Sequence, residues 1–232
     1  MSRVHAVKSS RRPARAGGDG RSHRWDEHRR TRRLDLIGAA VAAIRREGPG
    51  AGLDEIAAEA GVSKTVLYRH FTDKADLVDA VMTHVSAEIL LPRLQRELLA
   101  ERPDRERIRA VIAAYVQVLV DEPELYAFVI AHSSQGRGGD FVAATERVVA
   151  QALATVLGDR LRALRMDSGG ALPWAFGLVG MVQLAAHWWA TERSMSAEAL
   201  VDYLTMLAVG GFDGVLGAGG APGARSAAGT LG

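Results

Sequence analysis

Leu53-Asp-Glu-Ile-Ala-Ala-Glu-Ala-Gly-Val-Ser-Lys-Thr-Val-Leu-Tyr-Arg-His-Phe-Thr72 is the stretch from which the rest of the chain can be read. Its spacing predicts two short helices, over 54–60 and 64–70, separated by Gly61-Val62-Ser63. Two helices that cross steeply need a small residue at the crossing and one that tolerates positive φ in the turn. Ala57 and Gly61 meet those needs. Ile56, Val62, Val66, Leu67 and Phe71 form an inner face, and Ser63 stands where an N-cap hydroxyl is wanted. Lys64, Thr65, Tyr68 and Arg69 are left outside. Small polar and basic groups at the N-terminal end of a short helix suit a reader of the major groove, and the free amides there can hold a phosphate. Asp73 and Asp76 cap the next helix. Lys74, in its first turn, opposes the helix dipole and makes sense if it reaches a DNA phosphate.

Working outward, a first helix over 30–47 carries Leu36, Ile37, Ala40, Val41 and Ile44 as one apolar stripe and stops at Gly48-Pro49-Gly50. A longer helix starts at Asp73 and runs to about Glu88, with Pro92 kinking or ending it near Leu90. Further helices are predicted over 104–121, 123–133, 140–163, 171–191 and 196–216. Asp104, Pro123 and Ser196 with Glu198 mark starts, and the glycines at 136–139 and Ser168-Gly169-Gly170 mark stops. The fold class is all-α with about nine helices. Residues 30–76 are expected to form a three-helix helix-turn-helix domain, and 77–216 a larger helical domain. A basic arm, 1–29, and a Gly/Ala-rich tail, 217–232, are expected to be disordered.

The 232 residues carry 29 Lys and Arg against 27 Asp and Glu, a net charge of +2. The distribution is uneven. Residues 1–33 hold 11 basic residues and three acids, Asp19, Asp26 and Glu27, so this end is +8 and the remainder −6. Such asymmetry points to a polyanion at one end, with a solubilising tail as the even alternative. With 48% apolar and 24% charged residues the composition is that of a soluble protein. The absence of cysteine excludes disulfides, thiol catalysis and Cys-based zinc sites. The basic N-terminus lacks an apolar run, so no secretory signal is expected and the cytoplasm is the expected compartment.

The quoted segment resembles the DNA-binding domain of the TetR family of regulators. Their pattern Ile-Ala-x-x-Ala-Gly-Val-Ser-x-x-x-Leu-Tyr-x-His-Phe-x-x-Lys is matched at every fixed position from Ile56 to Lys74, and the likeness extends from Arg33 to Met82. The resemblance implies that Ser63, Lys64, Thr65, Tyr68, Arg69, His70 and Lys74 face DNA. Tyr68 and His70 would lie on phosphate, and Lys64, Thr65 and Arg69 nearer base edges or the neighbouring backbone. Gly52 departs from the family, which usually has Thr or Ser there, and removes a capping hydroxyl. The resemblance further implies a homodimer built from 171–191 and 196–216 as a four-helix bundle, with Leu200, Tyr203, Leu204 and Leu207 as a stripe, and hence a pseudo-palindromic operator. The stretch Gly177–Val182 followed by His187-Trp188-Trp189 is similar to actinobacterial members that sense fatty acyl groups.

Residues 171–190 carry no charge over about one membrane thickness. Gln183, His187, Pro173 and the lack of a second such span favour a helix buried between a core and a partner subunit, where Ala175, Gly177, Gly180, Ala185 and Ala186 permit close approach. Trp174, Trp188 and Trp189 are expected in the core or at the dimer contact. Tyr115, Tyr126, His132, Gln183 and His187 are polar groups in apolar helices and so candidates to orient a ligand in a mostly apolar cavity, each with a satisfied core or interface role as the alternative. The histidines show no metal-site spacing, and no cofactor is implied. The apolar character of 104–121 and 171–191 favours an uncharged or lipid-like small effector. The expected function is a one-component repressor released by that effector. An enzyme using His132 or His187 as base lacks a nucleophile or carboxylate in any recognisable motif. An activator, or an architectural DNA-binding protein without an effector, is the competing reading.

Overall fold

A computed structural model describes residues 19–133 and 137–217, together with Gly219. The arm as far as residue 18, and the tail beyond Gly217 apart from Gly219, lie outside the described residues. Every regular element among the described residues is helical, as the spacing predicts.

The first helix, α1 (Asp19–Glu47), begins well before the expected start at residue 30. After Gly20 the run to Arg33 has no glycine or proline and is dominated by Arg, His and Glu, most of which lose little rotamer freedom in a helix. The Thr31 hydroxyl donates to the Glu27 carbonyl at 3.0 Å. Residues 19–29, about a third of the supposed arm, therefore continue the first helix of the DNA-binding domain. Gly48, at φ +90, ends the helix. α2 (Leu53–Glu59) and α3 (Lys64–Tyr68) follow, joined through Gly61 at φ +64, the left-handed conformation the turn requires. α3 is two residues shorter than the spacing predicts, because Arg69 and His70 form a turn.

The helix that starts after Asp73 departs furthest from expectation. α4 (Lys74–His84) continues through a π-helical stretch, Val85–Leu90, into α5 (Leu91–Leu99). Pro92 accounts for this. A proline donates no hydrogen bond and crowds the carbonyl four residues back, here that of Glu88. One widened turn ahead of it relieves the crowding without stopping the helix. Pro92 then sits in the first turn of α5, where its missing N–H is not needed.

α6 (Asp104–Asp121) and α7 (Pro123–Ser133) begin and end as predicted. α8 (Arg137–Ala163) starts earlier than expected and absorbs Gly138 and Gly139. α9 (Ala171–Glu192) and α10 (Ala197–Gly217) complete the chain, and the Ser196 hydroxyl caps α10 by accepting from the Ala199 amide at 3.1 Å.

Two main cores organise these helices. The first joins Leu36, Ile44, Ile56, Ala57, Leu67, Phe71, Leu77 and Val81 from α1 to α4, with Leu125 and Phe128 of α7 seated in the same cluster. Each of these Leu, Ile, Val and Phe side chains contributes about 1.5–3 kcal/mol by burial. Truncating Leu67 or Leu125 to alanine would cost about 2–5 kcal/mol. The DNA-binding helices therefore share a core with the larger domain. The second core joins α6, α9 and α10 through Ile112, Val116, Leu119, Ala186, Trp189, Leu200 and Leu204.

That second core divides the stripe expected on α10. Leu200 and Leu204 are buried within the subunit, whereas Tyr203 and Leu207 are exposed, together with Met206. α9 divides in the same way. Ala175, Ala186 and Trp189 are buried, while Leu172, Phe176, Leu184 and Trp188 are exposed at multiples of four residues, with Gly177 and Gly180 open between them. Among the described residues, α10 is the helix long and apolar enough by length and composition to cross a membrane, a test that a core helix packed on one face also passes.

Candidate nucleic-acid interface and internal cavity

The residues expected to face DNA occupy α3, its flanking turns and the head of α4. Ser63, Lys64, Thr65, Tyr68, Arg69 and Lys74 are exposed, and His70 is half-buried. Tyr68, an aromatic residue, is 51% exposed, which its core neighbours would not predict. Leu67 beside it is fully buried, so α3 is anchored by one face and presents the other. Ser63 occupies the N-cap with extended backbone, and its carbonyl accepts from the Val66 amide at 2.9 Å. Its hydroxyl makes no capping hydrogen bond, contrary to expectation. At the N-cap of α2, Gly52 has no side chain to offer. Glu55 supplies half of a capping box instead, accepting from the Gly52 amide at 2.9 Å. Lys64 Nζ lies 2.7 Å from Asp54 Oδ1, which holds the ammonium more basic than usual through that hydrogen bond. Asp73 accepts from the Asp76 amide at 2.8 Å and so fixes the start of α4 beneath Lys74.

The field around this surface is positive. Burial first, then the charges of Arg69, Arg32, Arg29 and Arg33, hold the His70 imidazole below the usual histidine range. Arg29 and Arg32 were legible only as part of a charge run. α1 carries them to the reading head. Arg33 has a different task. It donates to Asp76 Oδ1 at 2.6 Å and to the His70 carbonyl, and its guanidinium lies 4.2 Å from the centroid of the Phe71 ring. Asp76 also accepts from the Thr72 amide at 2.9 Å. One cation thus ties the turn after α3 to α1 and α4. Its signal in the sequence is that an arginine stands on the stripe of Leu36, Ile37 and Ala40.

Behind the reading head lies a cavity of about 650 Å³, within the range of small-ligand sites. It is lined by α4 to α9 and the π-helical stretch, with Phe212 and Ala208 from α10. Tyr115, Tyr126, Gln183 and His187, four of the five polar candidates, line it. Tyr126 Oη and His187 Nδ1 share a hydrogen bond of 3.1 Å. Burial pushes the Tyr126 phenol up to about 12 and raises that of Tyr115 further, so both are neutral donors at any physiological pH. His132 does not line the cavity. It lies in the last turn of α7, where its Nδ1 is 2.8 Å from the Phe128 carbonyl and its ring centroid 4.3 Å from that of Phe128. Residues missed from sequence include Ser86 and Thr145, whose hydroxyls meet at 3.3 Å beside the cavity. Glu122 was missed too: it lines the cavity and is gripped from outside by Arg45 of α1, Nε to Oε2 at 2.8 Å and Nη2 to Oε1 at 2.5 Å. Of the tryptophans, Trp189 is buried and donates to the Met195 carbonyl at 2.8 Å, and Trp188 is exposed.

Two segments of the chain match known protein families. Residues 36–81 match the model for bacterial regulatory proteins of the tetR family, and residues 93–224 match that for the tetracyclin repressor-like C-terminal domain. An uncharacterized HTH-type transcriptional regulator of Mycobacterium tuberculosis is 45% identical over 202 residues, spanning 87% of this chain and 86% of that one. The HTH-type transcriptional activator FasR of Mycolicibacterium smegmatis is 30% identical over 211 residues, spanning 90% and 93%. In fold, the chain is similar to the transcriptional regulator FadR of Bacillus subtilis solved with stearoyl-CoA, at a TM-score of 0.61 and 18% identity over 77% of this chain and 98% of that one. With a helix-turn-helix and a helical C-terminal domain each matched over its length, the chain belongs to the TetR family of bacterial transcriptional regulators.

Proposed function

We propose that this regulator acts as a homodimeric repressor that grips a pseudo-palindromic operator and is released by a largely apolar, lipid-like effector held in the cavity. The form of the cavity carries the reading. Its lining spans Asp104 to Leu119 on α6 and Val142 to Arg160 on α8, about 22 and 27 Å of helix respectively. A cavity of about 650 Å³ bordered along that length and lined chiefly by Leu, Val and Ile side chains has the size and apolar character that suit a lipid-like chain. In this reading Ser63, Lys64, Thr65, Tyr68, Arg69, His70 and Lys74 hold DNA, and Tyr115, Tyr126, Gln183 and His187 meet the effector. The DNA-binding domain gains the helical residues from Asp19 onward, and the effector and dimerisation domain occupies 77–216. The protein works in the cytoplasm, uses no metal or cofactor, and catalyses nothing.

The dimer is supported by the apolar faces left open on α9 and α10. Leu172, Phe176, Leu184 and Trp188 of α9 and Tyr203, Met206 and Leu207 of α10 are exposed, and exposed apolar patches mark interfaces. Leu184 also lines the cavity, so subunit pairing and cavity closure share a side chain. Two-fold pairing sets two α3 helices about one DNA turn apart, near 34 Å. The sign of regulation has a second reading, since the FasR relative is named an activator.

The test is fluorescence anisotropy of the protein on DNA from upstream of its own gene, with scrambled DNA and Tyr68→Ala as controls. Sequence-selective, salt-sensitive binding that Tyr68→Ala abolishes and a long-chain amphiphile reverses is the expected result. Binding strengthened by the amphiphile would make the protein an effector-dependent binder instead. Binding indifferent to Tyr68→Ala would sink the DNA-contact assignment.

A further inference from the structure

The charged residues of the cavity are sorted by end. Arg107 and Arg160 line it where the first turn of α6 meets the last turns of α8, with Asp104 between them. Arg160 Nε donates to Asp104 Oδ2 at 2.9 Å, and Arg107 Nη1 lies 3.9 Å from Asp104 Oδ1. Two cations thus share one carboxylate, leaving a local charge of +1. Arg107 is also incompletely satisfied. Its Nη2 donates to the Arg102 carbonyl at 3.0 Å, while its Nε is buried with no hydrogen-bond partner among the described residues. An unsatisfied Nε makes the Arg107 guanidinium costly to keep as it stands, and Arg160, exposed at the same end, presents a guanidinium of the kind that binds oxyanions through charge-assisted hydrogen bonds.

The other end is acidic. Glu122, at the corner just after α6, lies fifteen positions from Arg107, about 22 Å, and is already held by Arg45. Glu146, fourteen positions from Arg160 on α8, about 21 Å, lines the cavity with no ion pair among the described residues. An anion would meet repulsion there and attraction at Arg107. Exposure separates the two ends as well. The exposed lining residues of the α8–α9 flank are Val148, Gly180 and Leu184, all apolar or small, whereas those at the arginine end are Gln95 and Arg160. The flank runs along the face assigned above to the partner subunit, so the arginine end is the one left to water.

We propose that the effector is a long-chain amphiphile with an anionic head, and that it enters tail first and leaves the head at Arg107 and Arg160. This rests on the reading of the cavity as a lipid channel and adds the class of head group and its orientation. A free carboxylate and the phosphates of a carrier thioester share the needed chemistry. Arg107 and Arg160 are binding residues here, and Tyr115, Tyr126 and His187 lie along the chain rather than at its head.

Isothermal titration of the full-length protein with myristic acid, myristoyl-coenzyme A and myristyl alcohol tests this. The anionic ligands should bind at least about tenfold more tightly than the alcohol, the worth of one good charge-assisted contact. Arg107→Met with Arg160→Met should abolish that margin and leave the alcohol's affinity unchanged. Arg107→Lys, which keeps the charge, should retain part of it and guards against a variant that fails to fold. Preference for the thioester identifies phosphates as the head, and preference for the acid identifies the carboxylate. Equal binding of acid, thioester and alcohol, untouched by the arginine variants, would overturn the head-group assignment while sparing the channel. Failure of all three to bind would remove the channel reading itself.

Discussion

Arg45, near the end of α1, clasps both carboxylate oxygens of Glu122, whose other side faces the cavity. Glu122 is mostly buried, and Arg45 is about half exposed. A bidentate pair of this kind is directional, so a ligand that shifts the corner between α6 and α7 carries α1 with it. Leu125 and Phe128, in the core of the DNA-binding helices, reinforce the same joint.

Arg45→Met is therefore expected to lower stability by only about 1 kcal/mol, the ceiling for a solvent-screened pair, and to blunt the effector's influence on DNA. Chemical denaturation measures the first effect, and anisotropy with and without a long-chain ligand measures the second. A variant that releases DNA as completely as the native protein would show that the joint does not transmit.

The Arg33 clamp sets an acid limit on the DNA-binding domain. The Arg33 guanidinium, its largest influence, holds the Asp76 carboxyl below the usual carboxylate range. A carboxylate whose folded pKa lies below its unfolded value of about 3.9 stabilises fully above that pH and loses its contribution as pH falls through the folded value. Arg33→Met should cost about 1 kcal/mol at pH 7 after allowance for solvent screening. The native protein's advantage over this variant should shrink below about pH 4. Thermal unfolding at a series of pH values checks it, and parallel curves down to pH 2 would refute the linkage.

Lys64 is not free to meet DNA while Asp54 holds it at 2.7 Å. Asp54→Asn removes both the competitor and a negative charge beside the phosphates. The expected gain in DNA affinity is about two- to fivefold, with a steeper dependence on salt as one more phosphate contact forms. Unchanged affinity and slope would mean that Lys64 keeps its protein partner on DNA.

Leu207 is 63% exposed and lies outside the cavity lining. Leu207→Glu should leave the monomer's stability within about 0.5 kcal/mol yet disperse the dimer, since a charge at the centre of an apolar interface has no partner. Sedimentation equilibrium should report a monomer with much weakened operator binding. An intact dimer would move the interface elsewhere.

How much of this was legible follows from the range of each interaction. The helix-turn-helix was written in one continuous segment. Ala57 at the crossing, Gly61 at positive φ and the stripe from Leu36 to Ile44 act over a few residues, and so the sequence by itself determined the reading head, the all-α class and the bounds of α6 and α7. The joins are long-range. Arg33 meets Asp76 and Arg45 meets Glu122 only because packing brings distant helices together, and nothing local to either residue names its partner. In α9 and α10, apolar on nearly every side, periodicity could not say which leucines face the subunit core. Leu200 and Leu204 went inward and Leu207 outward through the positions of α6 and α9. His132 and His187 look alike in sequence, each on an apolar helix. The turn of α7 gave one to the Phe128 carbonyl, and the turn of α9 gave the other to Tyr126 and the cavity. Local propensity chose the helices, and the geometry of their packing chose the site.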